Sequence, residues 1–331
     1  MNFWTGVTVV AAMAALAFYL RTREQLKGLA FTAWIFAFVA AAMFFPVLFI
    51  QWGGFKMTGL IVPLIQIIMF GMGTGMSVSD FANVVKMPRG VFVGVFLHFF
   101  VMPILGVTLT RVFGFQGEVA AGVILIGSCP AGVASNVINY LAGSNVPLSV
   151  TMTAASTMVS PFLTPFLMKV LAGAYVPIDF THMMIEIFKL IIIPIGGGLL
   201  ANKLLRGKAA ILQKFLPLVS MGAICFIIAI ITASSREKLL QVGALLIIAG
   251  ILHNNLGYFF GYLLSRLLRL NVRDSRTVAI EVGMQNAGMA TGLAINVLKS
   301  TDAGLAAAIF GPVMNISGSA VASVWRRRPA K

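Results

Sequence analysis

Glu281 to Gly292 reads EVGMQNAGMATG, set inside a run that is otherwise apolar from Thr277 to Leu298. As a helix, such a run is long enough to cross a hydrocarbon core of about 30 Å, where an acid, two amides and three glycines are hard to place by hydropathy alone. An ionised carboxylate at that depth needs a positive partner, and no lysine or arginine occupies the middle of another apolar segment. A bound cation is the natural compensation for Glu281. Ser135, Asn136, Ser149 and Thr153 bring side-chain oxygens from a second polar stretch and the segment after it, where they could face the acid. Hard oxygen ligands of this kind suit sodium better than a transition metal. Ser149 and Thr153 taken alone would read as interhelical hydrogen-bonding groups. Close contact through small residues explains the glycines and alanines, but not Glu281, Gln285 and Asn286 together.

The elements that position these groups follow from composition. With 59% hydrophobic and 10% charged residues and a mean hydropathy of +0.98, a chain of 331 residues lacks the polar surface to coat a water-soluble globule. It reads as an all-α polytopic membrane protein. Apolar segments lie near 3–20, 29–50, 57–79, 90–112, 118–142, 147–172, 182–205, 211–233, 239–266, 275–298 and 302–325. The net charge of +15 sits mainly in the short connections between them, which is membrane orientation and not a nucleic-acid surface. With Arg326, Arg327 and Arg328 placed in the cytoplasm, alternate connections carry the clustered bases. These are Arg266, Arg269, Arg273 and Arg276; Lys203, Arg206, Lys208 and Lys214; Lys86 and Arg89; and Arg21, Arg23 and Lys27. The opposite side keeps scattered bases such as Lys56, Arg111, Arg236, Lys238 and Lys299. A multi-pass protein of the cytoplasmic (inner) membrane with a cytoplasmic C-terminus is expected. The first segment has its charges after it and no basic region before it, so it reads as an additional N-terminal span, with an interfacial helix as the alternative to a span. Cys129 and Cys225 suggest neither a disulfide framework nor a cysteine metal site.

Internal comparison divides the remaining ten segments. Gly127 to Val137 reads GSCPAGVASNV and Gly283 to Leu293 reads GMQNAGMATGL, aligning without gaps at Gly127/Gly283, Ala131/Ala287, Gly132/Gly288 and Ala134/Ala290. Each lies in the fourth segment of a five-segment half, and an odd number of spans per half turns the second half upside down. The division is 1–28, an extra hydrophobic helix and basic linker; 29–172, a first five-helix repeat; and 173–331, a second, inverted repeat with a basic tail. Pro130 obstructs a continuous helix, and both stretches mix glycine with polar residues, so both helices should break. Broken backbone is tolerated at membrane depth where protein or a water-filled cavity satisfies it. Two such helices from inverted halves would cross near the midplane, offering half-helix N-termini to an anion and free carbonyls to a cation.

Five stretches together resemble the bile acid:sodium symporter family of secondary transporters, the family of the apical sodium-dependent bile acid transporter and its bacterial homologues. They are FGMGTGMSVSDF (70–81), GSCPAGVASNVINYLAGSNVPLSVTMTAASTMVSPFLTP (127–165), LHNNLGY (252–258), EVGMQNAGMATGLA (281–294) and NISGS (315–319), and the resemblance spans residues 30–325. It implies a panel domain and a core domain, crossing broken helices in the core, and sodium-driven uptake of an organic anion. Residue by residue, it implies a first sodium position at Ser135, Asn136, Ser149, Thr153 and Glu281. A second maps to Glu281, the carbonyls of Val282 and Met284, the side chain of Gln285, and a glutamine that is His98 here. An imidazole is a poorer match for a hard cation and can titrate near neutral pH, so the second position departs from the family pattern. A structurally hydrogen-bonded histidine and an altered coupling role are both open. On the substrate side the resemblance implies Asn286 and Asn315, with Gly132 and Val133 at the tip of the first broken helix, where a threonine often stands in place of Val133. Small acids such as pantoate or a keto acid, and bile-acid-like anions, both fit.

No cofactor beyond co-transported sodium is expected, the partners being the bilayer and the anion, and a monomer should suffice. A proton-coupled or mixed-ion anion transporter is the nearest alternative. An arsenite-type exporter of the related fold, using a thiol such as Cys129 with a glutamate, is another, although the ASN and EVGMQN motifs favour sodium symport. An enzyme using Glu281 with His98 or His253 lacks a nucleophile, a paired acid or a metal triad. Glu186 and Lys189 read as a local i, i+3 ion pair.

Overall fold

The computed structural model describes residues 3–23, 27–205 and 209–328. Arg206 and Lys208, expected in a basic connection, lie outside these residues, as do the side chains of Lys27 and Lys214. The apolar runs form helices α1 (Phe3–Thr22), α2 (Lys27–Phe44), α3 (Val47–Ile50), α4 (Ile61–Thr74), α5 (Val78–Ala82), α6 (Pro88–Val112), α7 (Gly117–Ser128), α8 (Ala134–Leu141) and α9 (Val146–Leu171). The second half gives α10 (Phe180–Ile187), α11 (Ile193–Leu204), α12 (Ala209–Ser234), α13 (Arg236–Leu267), α14 (Val272–Gly283), α15 (Ala287–Asn296) and α16 (Thr301–Arg326). A π-helical turn, Phe188–Ile192, joins α10 to α11 just before Pro194, whose missing N–H cannot serve the regular ladder. Among the described residues eight helical stretches are long and apolar enough to cross a membrane. Adding α2 and the two interrupted helices, α7–α8 and α14–α15, recovers the eleven apolar segments of the sequence. The protein is an all-α polytopic membrane protein. One feature that hydropathy did not reveal is a small hairpin, Gln51–Trp52 with Phe55–Lys56, turned by Gly53 and Gly54 at φ of 51° and 89°. Two successive positive φ angles are what a two-residue hairpin loop requires, and glycine supplies them without strain.

Helix α1 lies antiparallel along α2. Phe3 meets Phe45 at one end and Phe18 meets Trp34 at the other, with ring centroids 5.4 and 5.0 Å apart. The extra N-terminal helix therefore runs the length of a neighbouring span instead of lying across its end.

The helices sort into two groups. In one, α2, α4, α11 and α12 pack on each other; in the other are α6 to α9 and α13 to α16. Each half of the sequence contributes to both. Within the first group α4 and α11 approach so closely that a Cβ on Gly73 would fall 2.2 Å from the Ile195 carbonyl oxygen, and one on Gly198 2.2 Å from that of Phe70. Small residues at such crossings let backbones meet where lipid supplies no hydrophobic drive. A polar link joins α10 to α15. Lys189 pairs with Glu186 at 2.9 Å as the spacing suggests, but the other Glu186 oxygen also accepts from Asn296 Nδ2 on α15. The pair is therefore more than local.

Candidate functional site

The two breaks lie against each other. Ala131 and Gln285 form an antiparallel bridge, Gly132 N donates to Met284 O at 3.0 Å, and Asn286 N donates to Pro130 O at 2.8 Å. Seven of the carbonyls at the two breaks have identified partners, two across the crossing through Met284 O and Pro130 O and five on side chains. At the end of α7, Ser128 O accepts from Thr164 Oγ1 at 2.8 Å, and Cys129 O lies 2.8 Å from His98 Nε2. At the end of α14, Glu281 O lies 3.0 Å from His98 Nδ1, Val282 O accepts from Gln285 Nε2 at 2.6 Å, and Gly283 O accepts from Asn254 Nδ2 at 2.5 Å. This is how a proline-broken segment remains tolerable away from water: the partner break and four buried side chains, Thr164, His98, Gln285 and Asn254, replace the missing helical turns. Asn286 Oδ1 caps α15 through Met289 N at 2.9 Å.

Beside this crossing, the expected first sodium residues converge. Ser135, Ser149, Thr153 and Glu281 are fully buried, and Asn136 is half-buried, making it the open side of the cluster. Three hydroxyls each meet two acceptors. Ser135 Oγ stands 2.7 Å from Gly132 O and 2.6 Å from Glu281 Oε1; Ser149 Oγ stands 2.7 Å from Asn136 Oδ1 and 2.5 Å from Glu281 Oε1. Thr153 Oγ1 lies 3.3 Å from Asn136 Oδ1 and 2.9 Å from Glu281 Oε2. A hydroxyl has one proton, so with Glu281 ionised and the Asn136 amide in this orientation three of these six contacts have no hydrogen to share. Among the described residues the groups around Glu281 are Ser135, Ser149, Thr153 and Asn139, with no lysine or arginine. A desolvated carboxylate ringed by under-protonated oxygens is chemically suited to a hard cation.

The register of this cluster is set one turn away. Asn145 caps α9 through Leu148 N at 3.2 Å, donates from Nδ2 to Asp274 Oδ1 at 2.8 Å, and donates its own N–H to Thr277 Oγ1 at 2.8 Å. That ties the starts of α9 and α14 together, and Ser149 and Glu281 follow four residues after Asn145 and Thr277 on the same helix faces.

Asn139 is a member that sequence reasoning missed. It is fully buried, and Nδ2 donates to Ser149 Oγ at 2.9 Å and to Glu281 Oε1 at 3.3 Å, while its Oδ1 has no partner. The available signal was its position three residues after Asn136 on α8.

The expected second set is also gathered at the crossing, but differently engaged. The carbonyls of Val282 and Met284 each already accept a donor, and His98 holds two carbonyls at once, one from each broken helix. A neutral imidazole has one N–H, so it serves one of them and turns a lone pair toward the other; only a doubly protonated ring serves both. Gln285 Oε1 is buried without a partner. Of the residues expected on the anion side, Gly132, Val133 and Asn286 lie at the crossing, and Asn315 is half-buried on α16, which packs on α8. Val133 is 40% exposed, so the tip position is open to solvent or ligand. Cys129 is fully buried, as expected of a packed residue beside the tip, and among the described residues no three His, Cys, Asp or Glu side chains form a metal-holding group.

Comparison with known proteins gives the same class. A family model described as the sodium bile acid symporter family matches residues 62–242. A Bacillus subtilis (strain 168) protein named "Uncharacterized sodium-dependent transporter YocS" is 36% identical over 312 residues, covering 94% of this chain and 95% of that protein. "Probable sodium/metabolite cotransporter BASS1, chloroplastic" of Oryza sativa subsp. japonica is 31% identical over 92% of this chain and 74% of its own length. The chain belongs to the sodium bile acid symporter family, a family of sodium-dependent transporters. These relatives are named as transporters, not enzymes.

Proposed function

We propose that the protein is a sodium-coupled symporter that imports a small organic anion, working as a monomer in the cytoplasmic membrane with its C-terminus inside. The two halves, 29–172 and 173–331, are taken as inverted repeats whose broken helices build the transport site. One observation carries this reading: four buried side chains from α8 and α9 converge on Glu281, the half-buried Asn136 joins them through Ser149 and Thr153, and among the described residues no cationic side chain balances the acid. Sodium is the cargo ion that these oxygens would hold. Screening organic anions for uptake into proteoliposomes, with an inward sodium gradient against an equal potassium gradient, tests it. Concentrative uptake of at least one unmodified anion in sodium alone is expected, and uptake that ignores the cation throughout the screen contradicts it.

The anion is assigned to the positive ends of the half-helices α8 and α15, with Gly132, Val133, Asn286 and Asn315 around it. Because Asn286 Oδ1 is committed to capping α15, the amide Nδ2 is the group left for ligand. Asn286→Ser keeps a capping oxygen and removes that donor. The KM for the anion should rise about 10-fold or more, as for a lost hydrogen bond to a charged group, with half-maximal sodium within about two-fold of wild type. Equal shifts in both would place Asn286 in the fold and not at the anion.

Coupling is read as one sodium ion per cycle. The Val282 and Met284 carbonyls each already accept one donor, from Gln285 and Gly132, and His98 engages two further carbonyls, so apart from Gln285 Oε1 and the shared Glu281 no member of the second family position is uncommitted. Sodium dependence of uptake should therefore show a Hill coefficient near one. Replacing His98 by Gln, which restores an amide oxygen, should steepen it toward two. Identical sodium and pH curves in the two proteins would leave His98 with a structural role only.

A further inference from the structure

At the end of the molecule where α6, α9 and α14 begin, a polar pocket of about 350 Å³ lies between the α5–α6 connection, the start of α9 and the α13–α14 connection. Its lining carries three cations, Lys86, Arg89 and Arg269, and one acid, Asp274. The acid is already engaged: its two oxygens accept from Asn145 Nδ2 at 2.8 Å and Asn271 Nδ2 at 2.7 Å. Arg89 is anchored by a bond from Nη2 to Leu268 O at 2.9 Å. Among the described residues, the Lys86 and Arg269 side chains make no hydrogen bond or ion pair. The pocket therefore has positive charge to spare.

Arg269 is placed there against backbone preference. Helix α13 closes with Arg269 N on Arg266 O at 2.9 Å and Leu270 N on Ser265 O at 3.0 Å, the paired bonds of a Schellman motif. The residue in the left-handed position of that motif is usually glycine, yet here it is Arg269 at φ 60°. Glycine would close the helix with less strain but would leave no side chain in the pocket. Helix α6 opens on the same pocket with Pro88, Arg89 and Gly90 and has no side-chain cap, so its positive end adds to the field.

The surface next to the pocket points to the kind of anion. Phe92, Phe96 and Phe100 follow Arg89 on one face of α6, each at least half exposed, with rings stacked at 6.3 and 5.5 Å. This apolar ladder starts one turn from the pocket and runs toward the middle of the helix. A basic pocket at the helix ends above a lipid-facing aromatic ladder suits a molecule with a phosphate at one end and acyl chains at the other. We propose that this pocket binds the phosphate head group of an anionic phospholipid.

The test uses the full chain, stripped of lipid in detergent and titrated with phosphatidylglycerol or phosphatidylcholine, with bound lipid counted by native mass spectrometry. Wild type should retain phosphatidylglycerol in preference to phosphatidylcholine. Affinity for phosphatidylglycerol should fall about five-fold for each basic residue removed, and so about 25-fold in Lys86→Gln combined with Arg269→Gly. Arg269→Gly relieves the positive φ, so loss of binding cannot be assigned to backbone strain. Lys299→Gly, which removes a base at the opposite end, should bind as wild type does; an equal loss there would show attraction to net charge and overturn the site. Undiminished phosphatidylglycerol binding by the double variant would overturn it as well. Inorganic phosphate that displaces the lipid at millimolar concentration and raises the Tm as much would make this a soluble-phosphate site and defeat the lipid assignment. The Glu281→Ala protein should keep the lipid response whether or not it carries sodium, which separates this inference from the transport reading.

Discussion

Glu281→Ala protein is expected to insert and fold but to lose sodium-dependent uptake by about 10²-fold or more. The magnitude follows from removing the single charge around which the cation cluster is built. Breaking a buried charge pair costs roughly 3–5 kcal/mol, and each 1.36 kcal/mol is a factor of ten. The fold should tolerate the change, because each hydroxyl keeps another acceptor: Ser135 has Gly132 O, while Ser149 and Thr153 have Asn136 Oδ1. Removing a desolvated carboxylate also removes its burial cost, so the Tm should hold or rise. Glu281→Gln, which keeps the shape and loses the charge, should fail in the same way. Surface insertion, elution as a single species and sodium-dependent uptake, measured together, check this. Wild-type sodium dependence in a folded Glu281→Ala protein would sink the assignment.

Gly132→Val should damage both fold and transport. A Cβ at Gly132 would stand 2.7 Å from the Gln285 carbonyl oxygen, 3.3 Å from its carbon and 3.4 Å from Asn286 Cα. These are main-chain atoms held by the opposite break, so neither side can swing away as a flexible side chain would. Relief requires separating Gly132 N from Met284 O and Asn286 N from Pro130 O, which exposes buried backbone groups at about 1–3 kcal/mol each. The Tm should fall by several degrees, and uptake at least about 10-fold, with Gly132→Ala affected less. Gly222→Ala is the matched control, since a Cβ there meets nothing within 4 Å. A Gly132→Val protein with wild-type melting and uptake would show that the two breaks need not touch.

The parts of this site that were legible in sequence share a physical cause. Pro130 announces a broken helix because its ring and missing N–H interrupt the ladder, with the nearby glycines and polar residues weakening it further, and Glu281 announces a cation because no lysine or arginine stands in the middle of an apolar segment to neutralise it. Ser135 and Asn136 could be set beside Glu281 because they follow the first break directly, whereas Ser149 and Thr153 share their segment with Thr151, Ser156, Thr157, Ser160 and Thr164 and stand out only through their neighbours and the family resemblance. What remained hidden depends on distant partners. Nothing in Asn139 itself distinguishes a residue that donates to Glu281 from an ordinary buried amide. His98 could be recognised as a departure from the family pattern, but its grip on Cys129 O and Glu281 O appears only when both helix ends are in place. Glu186 is matched by its helical neighbour Lys189, and nothing local points to its second partner, Asn296, 110 residues away. The Gly53–Gly54 pair is a turn signal, but the apolar runs that flank it are helical and hide the two-residue strands.

The most direct measurement is equilibrium binding of radioactive sodium to the purified protein, wild type beside Glu281→Ala, with potassium as the competing ion. One saturable, sodium-selective site per chain is expected in wild type, and none in the folded variant. Undiminished sodium binding by Glu281→Ala, or binding that potassium displaces as readily as sodium, would contradict a sodium site built on this carboxylate.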